Sequence, residues 1–140
     1  MDTKFAVAIH CMIFISESEE PMTSDALAAT LNTNPSYVRR ILTSLVKAEL
    51  ISSASKVRGC ALLKKPEEIR LTDIYDAVEP GVSKLNMNLS QNPDRGIQLG
   101  KCEQPVIEAL YMEMESAVDK ILSERTLKDL INDVRKKMKE

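Results

Sequence analysis

Residues 22–51 constrain the fold most, because they predict two short helices joined by a tight turn. Thr23 or Ser24 can cap the first helix, since a side-chain hydroxyl accepts a hydrogen bond from an otherwise unpaired first-turn N–H. The pair Asn34-Pro35 starts the second helix, because Asn is a favoured N-cap and Pro at the first helical position loses only an N–H without an intrahelical partner. The pattern is typical of a helix–turn–helix.

The second predicted helix has one apolar face and one basic face. Apolar residues recur every three or four positions, at Val38, Ile41, Leu42 and Leu45, and are expected to be buried. The opposite face carries types that contact phosphates and base edges, which predicts a recognition helix in the major groove of DNA. With the start of the first helix, the predicted DNA contacts are Thr23, Ser24, Ser36, Tyr37, Arg39, Arg40 and Thr43.

The distribution of charge supports this interpretation better than the total does. The net charge is −2 at pH 7, which alone argues against a general nucleic-acid binder. Within residues 32–65, however, seven basic residues are opposed only by Glu49, so this segment carries +6. A local basic patch on a mildly acidic chain is typical of a specific DNA reader. The alternative is that these are ordinary solvated charges.

The segment after the recognition helix predicts a two-stranded hairpin. Residues 50–53 and 61–63 are candidate strands, and Gly59 can adopt the left-handed conformation that the turn between them requires. Such a hairpin beside a helix–turn–helix forms a wing. We expect Lys56 and Arg58 at its tip to contact the minor groove or an adjacent phosphate; the alternative is a plain surface hairpin.

Composition indicates one mostly α-helical domain. The chain has 140 residues, of which 44% are hydrophobic and only 4% aromatic, so the core must be largely aliphatic. No run approaches the ~18 apolar residues of a membrane-spanning helix, and apolar residues 5–15 lack a signal-peptide cleavage site. We therefore expect a buried first helix, a cytoplasmic protein and no membrane contact. Three widely spaced cysteines do not predict a disulfide framework.

The C-terminal half predicts three more helices and a loop. Residues 70–79 form a helix that ends at Pro80-Gly81, and residues 82–100 have the composition of an exposed loop. Pro105 starts a long helix, and Thr126 with Asp129 matches a capping box that starts the last one. The long helix carries an apolar stripe at Ile107, Leu110, Met114, Ala117, Val118 and Ile121. This stripe is expected to pair with a second subunit; the alternative is that it lies entirely in the core of one chain.

These elements give a winged helix–turn–helix with a two-stranded wing and a C-terminal dimerisation helix. The predicted segments are a DNA-binding domain at 1–80, a mobile loop at 81–104, and C-terminal helices at 105–140 that mediate dimerisation.

Four sequence blocks, in this order and spacing, resemble the Rrf-two family of bacterial winged-helix repressors. They are Phe5-Ala6-Val7-Ala8, the NPSYVRRIL block at 34–42, residues 62–79 with their PEEI and AVE blocks, and the TLKDL block at 126–130. The resemblance implies a homodimer that binds a partly palindromic operator through the helix–turn–helix and the wing. By position the resemblance implies that Lys56 and Arg58 lie on the wing and that five residues face the groove: Ser36, Tyr37, Arg39, Arg40 and Thr43.

The cysteines depart from part of that family. Members with an iron–sulfur cluster carry three closely spaced cysteines before the long helix, whereas this chain has only Cys102 there. A cluster needs several neighbouring thiolates, so we expect no cofactor and no iron–sulfur cluster. Cys60 and Cys102 lie near basic residues, and a redox-sensing role for either is a hypothesis beside the simpler one of an ordinary small side chain. Cys11 is expected in the core. A further departure is Glu49, which replaces a glycine usual after the recognition helix.

The sequence does not predict an enzyme. His10 is the only histidine and has no clear acidic partner, and no phosphate-binding glycine loop, nucleophile elbow or metal-binding His pair is present. We therefore predict a sequence-specific transcriptional regulator, acting as a repressor on double-stranded DNA, whose effector the sequence does not name. The alternative is a protein-interaction module of the same fold that does not bind DNA.

Overall fold

The computed structural model describes residues 3–52, 59–81 and 98–140, and their secondary structure is mostly helical. A short 3-10 turn, Pro66–Glu68, lies between the third and fourth helices. The α-helices are α1 (Thr3–Glu17), α2 (Ser24–Leu31), α3 (Pro35–Lys47), α4 (Leu71–Val78), α5 (Gln98–Glu124) and α6 (Leu127–Met138). No helix of the described ranges is long and apolar enough to cross a membrane.

The core lies where α1, α3 and α4 meet. Helix α1 buries Phe5, Cys11 and Met12 among other apolar side chains, which confirms the predicted buried first helix. The Phe5 ring meets the Tyr75 ring of α4 edge-on, with centroids 5.3 Å apart. Edge-to-face contacts of this kind add to the stabilisation that burial provides. Tyr75 is almost completely buried, which the sequence pattern of α4 did not indicate.

Capping side chains fix the turn between α2 and α3. The Asn34 side chain accepts a hydrogen bond from the Ser36 N–H at 2.7 Å, and Pro35 occupies the first turn of α3. Helix α2 ends at Asn32 with a left-handed φ of 52°. The start of α3 agrees with the sequence prediction. The predicted apolar face of α3 is confirmed as well, because Val38, Ile41, Leu42 and Leu45 are all buried.

The predicted wing strands appear in the described residues only as isolated antiparallel bridges. Ile51 pairs with Leu62, and Met22, which lies just before α2, pairs with Cys60. Gly59 has the expected left-handed conformation, with φ of +80°. A Cβ there would collide with the Met22 backbone, so this position requires glycine. Around the Ile51–Leu62 bridge, the Ser52 N–H donates to the Ala61 carbonyl at 2.8 Å and the Leu63 N–H donates to the Leu50 carbonyl at 3.0 Å. The described parts of the two predicted strands therefore pair in the antiparallel sense, and the complete two-stranded wing stays a prediction. Residues 53–58, including Lys56 and Arg58, lie outside the described residues.

Helix α5 begins earlier than the sequence prediction. It starts at Gln98, so Pro105 lies inside the helix and does not begin it. Pro lacks the N–H that a helix interior needs, which is why the sequence predicts a helix start at Pro105. Residues 98–104 therefore belong to the helix and not to the loop predicted at 81–104. The remaining loop residues, 82–97, lie outside the described residues.

Only Leu122 of α5 is buried. Of the predicted stripe, Ile107 and Val118 are half-buried, and the other four residues are exposed: Leu110, Met114, Ala117 and Ile121. The stripe therefore does not lie entirely in the core of one chain. Helix α6 differs, because Leu127 and Ile131 reach the core and the predicted capping box is confirmed. The Leu127 N–H donates to the Ile69 carbonyl at 2.8 Å, and the Leu71 N–H donates to the Arg125 carbonyl at 3.0 Å. These bonds fix the start of α6 against the start of α4.

Candidate nucleic-acid interface

The faces of α3 separate clearly when its residues are placed about 100° apart around the helix axis. The buried residues lie on one side. On the opposite side, within an arc of about 60°, lie the exposed residues Ser36, Arg40, Thr43 and Lys47. Arg39 lies on one flank of this arc and is also exposed. The first three turns of α3 therefore present two guanidinium groups and two hydroxyl groups to solvent.

Several polar side chains on this face make hydrogen bonds within α3 itself. The Thr43 hydroxyl donates to the Arg39 carbonyl at 2.8 Å. The Arg39 guanidinium makes only long contacts, at 3.5 Å, to the Pro35 carbonyl and the Ser36 hydroxyl. Long exposed contacts are weak, so Arg39 can exchange them for a nucleic-acid ligand at little cost.

Tyr37 differs from the prediction, because it lies on the flank of α3 and not on the exposed arc. Its ring is half-buried and packs against the core. The Tyr37 hydroxyl lies 3.4 Å from the Thr3 hydroxyl of α1. The Arg40 guanidinium carbon lies 5.7 Å from the centre of the ring, within the range of a cation–π interaction. The half-buried Tyr37 ring thus supports the Arg40 side chain.

The two predicted contacts at the start of α2 have a clear structural role. Thr23 is the N-cap, and its side-chain oxygen accepts a hydrogen bond from the Ala26 N–H at 3.1 Å. Ser24 is half-buried in the first turn. Both stay close to the first-turn N–H groups, a place where helices commonly bind phosphate.

A small cavity lies on the Tyr37 flank of α3, where α1 and α4 approach it. Its volume is about 140 Å³, and its lining contains two cations. The lining residues are Lys4, Tyr37, Arg40, Ile41, Ser44 and Val78. Sequence reasoning missed Lys4, because it is 36 positions from Arg40 and only the packing of α1 on α3 brings the two residues to one site.

Comparison with known proteins identifies the family. Residues 1–133 match the model of the family Rrf2, described as an iron-dependent transcriptional regulator. The chain belongs to the Rrf2 family. This is the Rrf-two family that the sequence blocks resemble, and its members are transcriptional regulators and not enzymes.

Relatives of similar length support this membership. YwnA of Bacillus subtilis (strain 168), assigned by name as an HTH-type transcriptional regulator, is 32% identical over 132 residues, which cover 94% of this chain and 97% of YwnA. YwgB of the same organism, assigned in the same way, is 28% identical and covers 92% of this chain and 81% of its own.

Solved structures show the same fold. CymR (YrzC), the global cysteine regulator of B. subtilis, superposes with a TM-score of 0.72 at 23% identity and covers 94% of this chain and 95% of its own. IscR of T. potens gives a TM-score of 0.72 at 19% identity and covers 96% of this chain and 87% of its own. At these identities the likeness establishes the shared Rrf2-type architecture.

The family description names iron, but the residues that the structure describes do not form an iron site. No group of three or more His, Cys, Asp or Glu side chains able to hold a metal occurs in the described ranges. Residues 82–97 contain no Cys or His. Cys11 and Cys60 are buried, whereas Cys102 is exposed on α5. Burial, with a contribution from nearby Cys60, raises the pKa of the Cys11 thiol to about 12, which disfavours the thiolate that binds metals.

The redox hypothesis fails its first requirement at Cys60. A reactive thiol needs exposure, and the Cys60 side chain is buried beside the Met22 bridge. Cys102 is exposed near the start of α5. Of the two candidates, only Cys102 has the exposure that redox sensing requires, and that role stays a hypothesis.

Proposed function

We propose that this Rrf2 regulator is a repressor that binds a partly palindromic operator as a homodimer in the cytoplasm, with α3 in the major groove. The exposed arc of α3 carries the proposal. Ser36, Arg40, Thr43 and Lys47 share that arc, while the opposite face of the helix is buried. Arginine pairs with guanine edges, and hydroxyl groups bind either bases or phosphates, so this arc has the chemistry of direct sequence readout. Thr23 and Ser24 are proposed phosphate contacts, and Lys56 and Arg58 remain proposed wing contacts.

The unpartnered apolar face of α5 supports the homodimer. At 100° per residue, one side of α5 carries Leu99, Val106, Leu110, Met114, Ala117 and Ile121 within about 80°. All six are exposed in the isolated chain, and Leu99 retains 72% of its accessible surface. The stripe spans 23 residues, and its end residues lie about 33 Å apart along the helix.

An exposed apolar stripe of this length marks an interaction surface. Two-fold pairing of α5 with its copy buries the stripe on both subunits at once. It also provides the two recognition helices that a palindromic operator requires, one DNA turn apart.

The DNA proposal is tested with fragments of genomic DNA selected by the wild-type chain. We expect the affinity of a selected fragment to fall steeply as salt rises, because each phosphate contact releases counterions. Arg40→Ala should weaken binding by roughly tenfold or more, the usual cost of losing an arginine contact to a base. Absence of salt-dependent binding by the wild-type chain would instead favour the protein-interaction module.

The dimer proposal is tested by sedimentation of two matched variants. Leu110→Asp places a charge in the centre of the stripe and should yield monomers. Met112→Asp makes the same kind of change on the opposite side of α5, at a residue that is 71% exposed, and should leave the dimer intact. A Leu110→Asp variant that remains dimeric at micromolar concentration would refute pairing through this face.

A further inference from the structure

We propose that the cavity beside α3 is a phosphate-binding site that takes one backbone phosphate of duplex DNA, with Lys4 as its cation from α1. The inference rests on the proposed DNA binding, but it assigns a residue outside the helix–turn–helix and outside the wing. Lys4 and Arg40 both line the cavity, together with the Tyr37 and Ser44 side chains. A lysine ammonium with neighbouring hydroxyl groups can donate to a phosphate group, while Arg40 adds positive charge at the edge of the cavity and keeps its guanidinium for the base edges.

The two cations lack carboxylate partners in the part of the chain that the structure describes. The ion pairs found there join Arg135 to Glu17 and Lys137 to Glu140, well away from this flank in sequence. An unneutralised pair of positive groups around one cavity favours an anion. The volume of about 140 Å³ accommodates several waters or one phosphate group at the mouth of the cavity.

The α3 side of the site is held in shape before any ligand arrives. The Tyr37 ring supports the Arg40 guanidinium, and the Tyr37 hydroxyl lies 3.4 Å from the Thr3 hydroxyl, next to Lys4. The Ser44 hydroxyl donates to the Arg40 carbonyl at 3.3 Å, a long bond that it can exchange for donation to a phosphate oxygen. Apolar Ile41 and Val78 complete the lining. A pre-formed site loses less conformational entropy on binding than a mobile side chain does.

The position on the flank of α3 indicates which phosphate it meets. A helix with its side chains is about 10–12 Å wide, and the major groove of DNA is about 12 Å wide. When the exposed arc of α3 faces the bases, each flank of the helix therefore lies against a sugar–phosphate strand. The cavity opens on the Tyr37 flank, so it faces one of these strands. A contact of this kind fixes the register of the protein on DNA and carries no sequence information.

The test compares Lys4→Ala with wild type on a random-sequence 30-base-pair duplex at several salt concentrations. Loss of one phosphate contact lowers the slope of log K against log salt by about 0.9, which amounts to about an eightfold loss of affinity at 0.1 M salt. Lys4→Arg should restore both slope and affinity. Lys120→Ala is the matched control, because it removes one exposed charge from α5 and should change neither quantity. Lys4 is exposed, so we expect the variants to fold like wild type.

The source of the phosphate is tested with inorganic phosphate, added at constant ionic strength while the melting temperature is recorded. A rise in wild type that Lys4→Ala abolishes, with identical DNA slopes for both proteins, would assign the site to a free anion and overturn the DNA assignment. Equal DNA salt slopes for wild type and Lys4→Ala, with no rise in the melting temperature of wild type, would show that the cavity binds no phosphate. If wild type itself shows no salt-dependent binding, the proposed function fails first. If wild type binds DNA and Lys4→Ala binds it with the same salt slope and affinity, the proposed function stands and the Lys4 inference alone fails.

Discussion

Glu49 occupies a backbone position after the recognition helix that favours glycine. Its φ is +61°, in the left-handed region. The Leu50 N–H donates to the Leu45 carbonyl at 3.1 Å, and the Glu49 N–H donates to the Val46 carbonyl at 2.9 Å. These two bonds form a Schellman motif, in which the left-handed residue is usually glycine. Glu49→Gly should therefore stabilise the fold.

The size of the effect follows from two opposing terms. The left-handed conformation costs a residue with a Cβ about 1–2 kcal/mol, which glycine avoids. Glycine has more conformational freedom in the unfolded chain, and losing that freedom on folding offsets roughly 0.5–1 kcal/mol of the benefit. The expected net gain is about 0.5–1 kcal/mol, or on the order of 2–4 °C in melting temperature for a chain of this size.

The assay is thermal and urea unfolding of Glu49→Gly beside Glu49→Ala. Both variants remove the same charge, but only glycine relieves the left-handed strain. Glu49→Ala should show no gain, and both variants should bind DNA with similar affinity to each other. A Glu49→Gly variant that is no more stable than Glu49→Ala would refute the strain argument.

Three further predictions concern folding and thiol reactivity. Gly59→Ala should destabilise by more than about 2 kcal/mol in urea titrations, because its left-handed φ costs ~1–2 kcal/mol and its Cβ would also collide with the Met22 backbone; a loss below 1 kcal/mol would contradict this. Thr126→Ala should cost about 1 kcal/mol through loss of its capping bond, and an unchanged urea midpoint would count against the cap. Iodoacetamide at pH 8 should label Cys102 in the folded chain and Cys11 only after denaturation, because burial raises the pKa of the Cys11 thiol to about 12; labelling of native Cys11, read by mass spectrometry, would show that it is accessible.

Local signals in the sequence were sufficient for the helix–turn–helix. The caps of α3 and its apolar face depend on residues within one or two turns of each other, so Asn34, Pro35 and Val38 could be read directly. The capping box at Thr126 is equally local. The boundary at Pro105 was wrong for a local reason as well, because a proline is a common helix start but is also tolerated inside some helices.

Contacts between distant segments were not readable from the sequence. The bridge from Met22 to Cys60 joins residues 38 positions apart and requires the close backbone approach at Gly59. The association of Lys4 with Arg40 depends on how α1 crosses α3. Cys60 lies near basic residues in the sequence, which favours a reactive thiol, but packing buries its side chain. Each of these features is set by tertiary packing, which overrides what neighbours along the chain indicate.

The central claim is that the exposed arc of α3 reads DNA sequence. The most direct measurement is the ratio of affinities for a selected genomic fragment and for a shuffled duplex of equal length, in the same salt. Wild type should show a ratio of about 10³ or more. The triple variant Ser36→Ala, Arg40→Ala, Thr43→Ala changes only exposed side chains, so it should fold normally while its ratio falls towards one. A folded triple variant that keeps the wild-type ratio would contradict the claim.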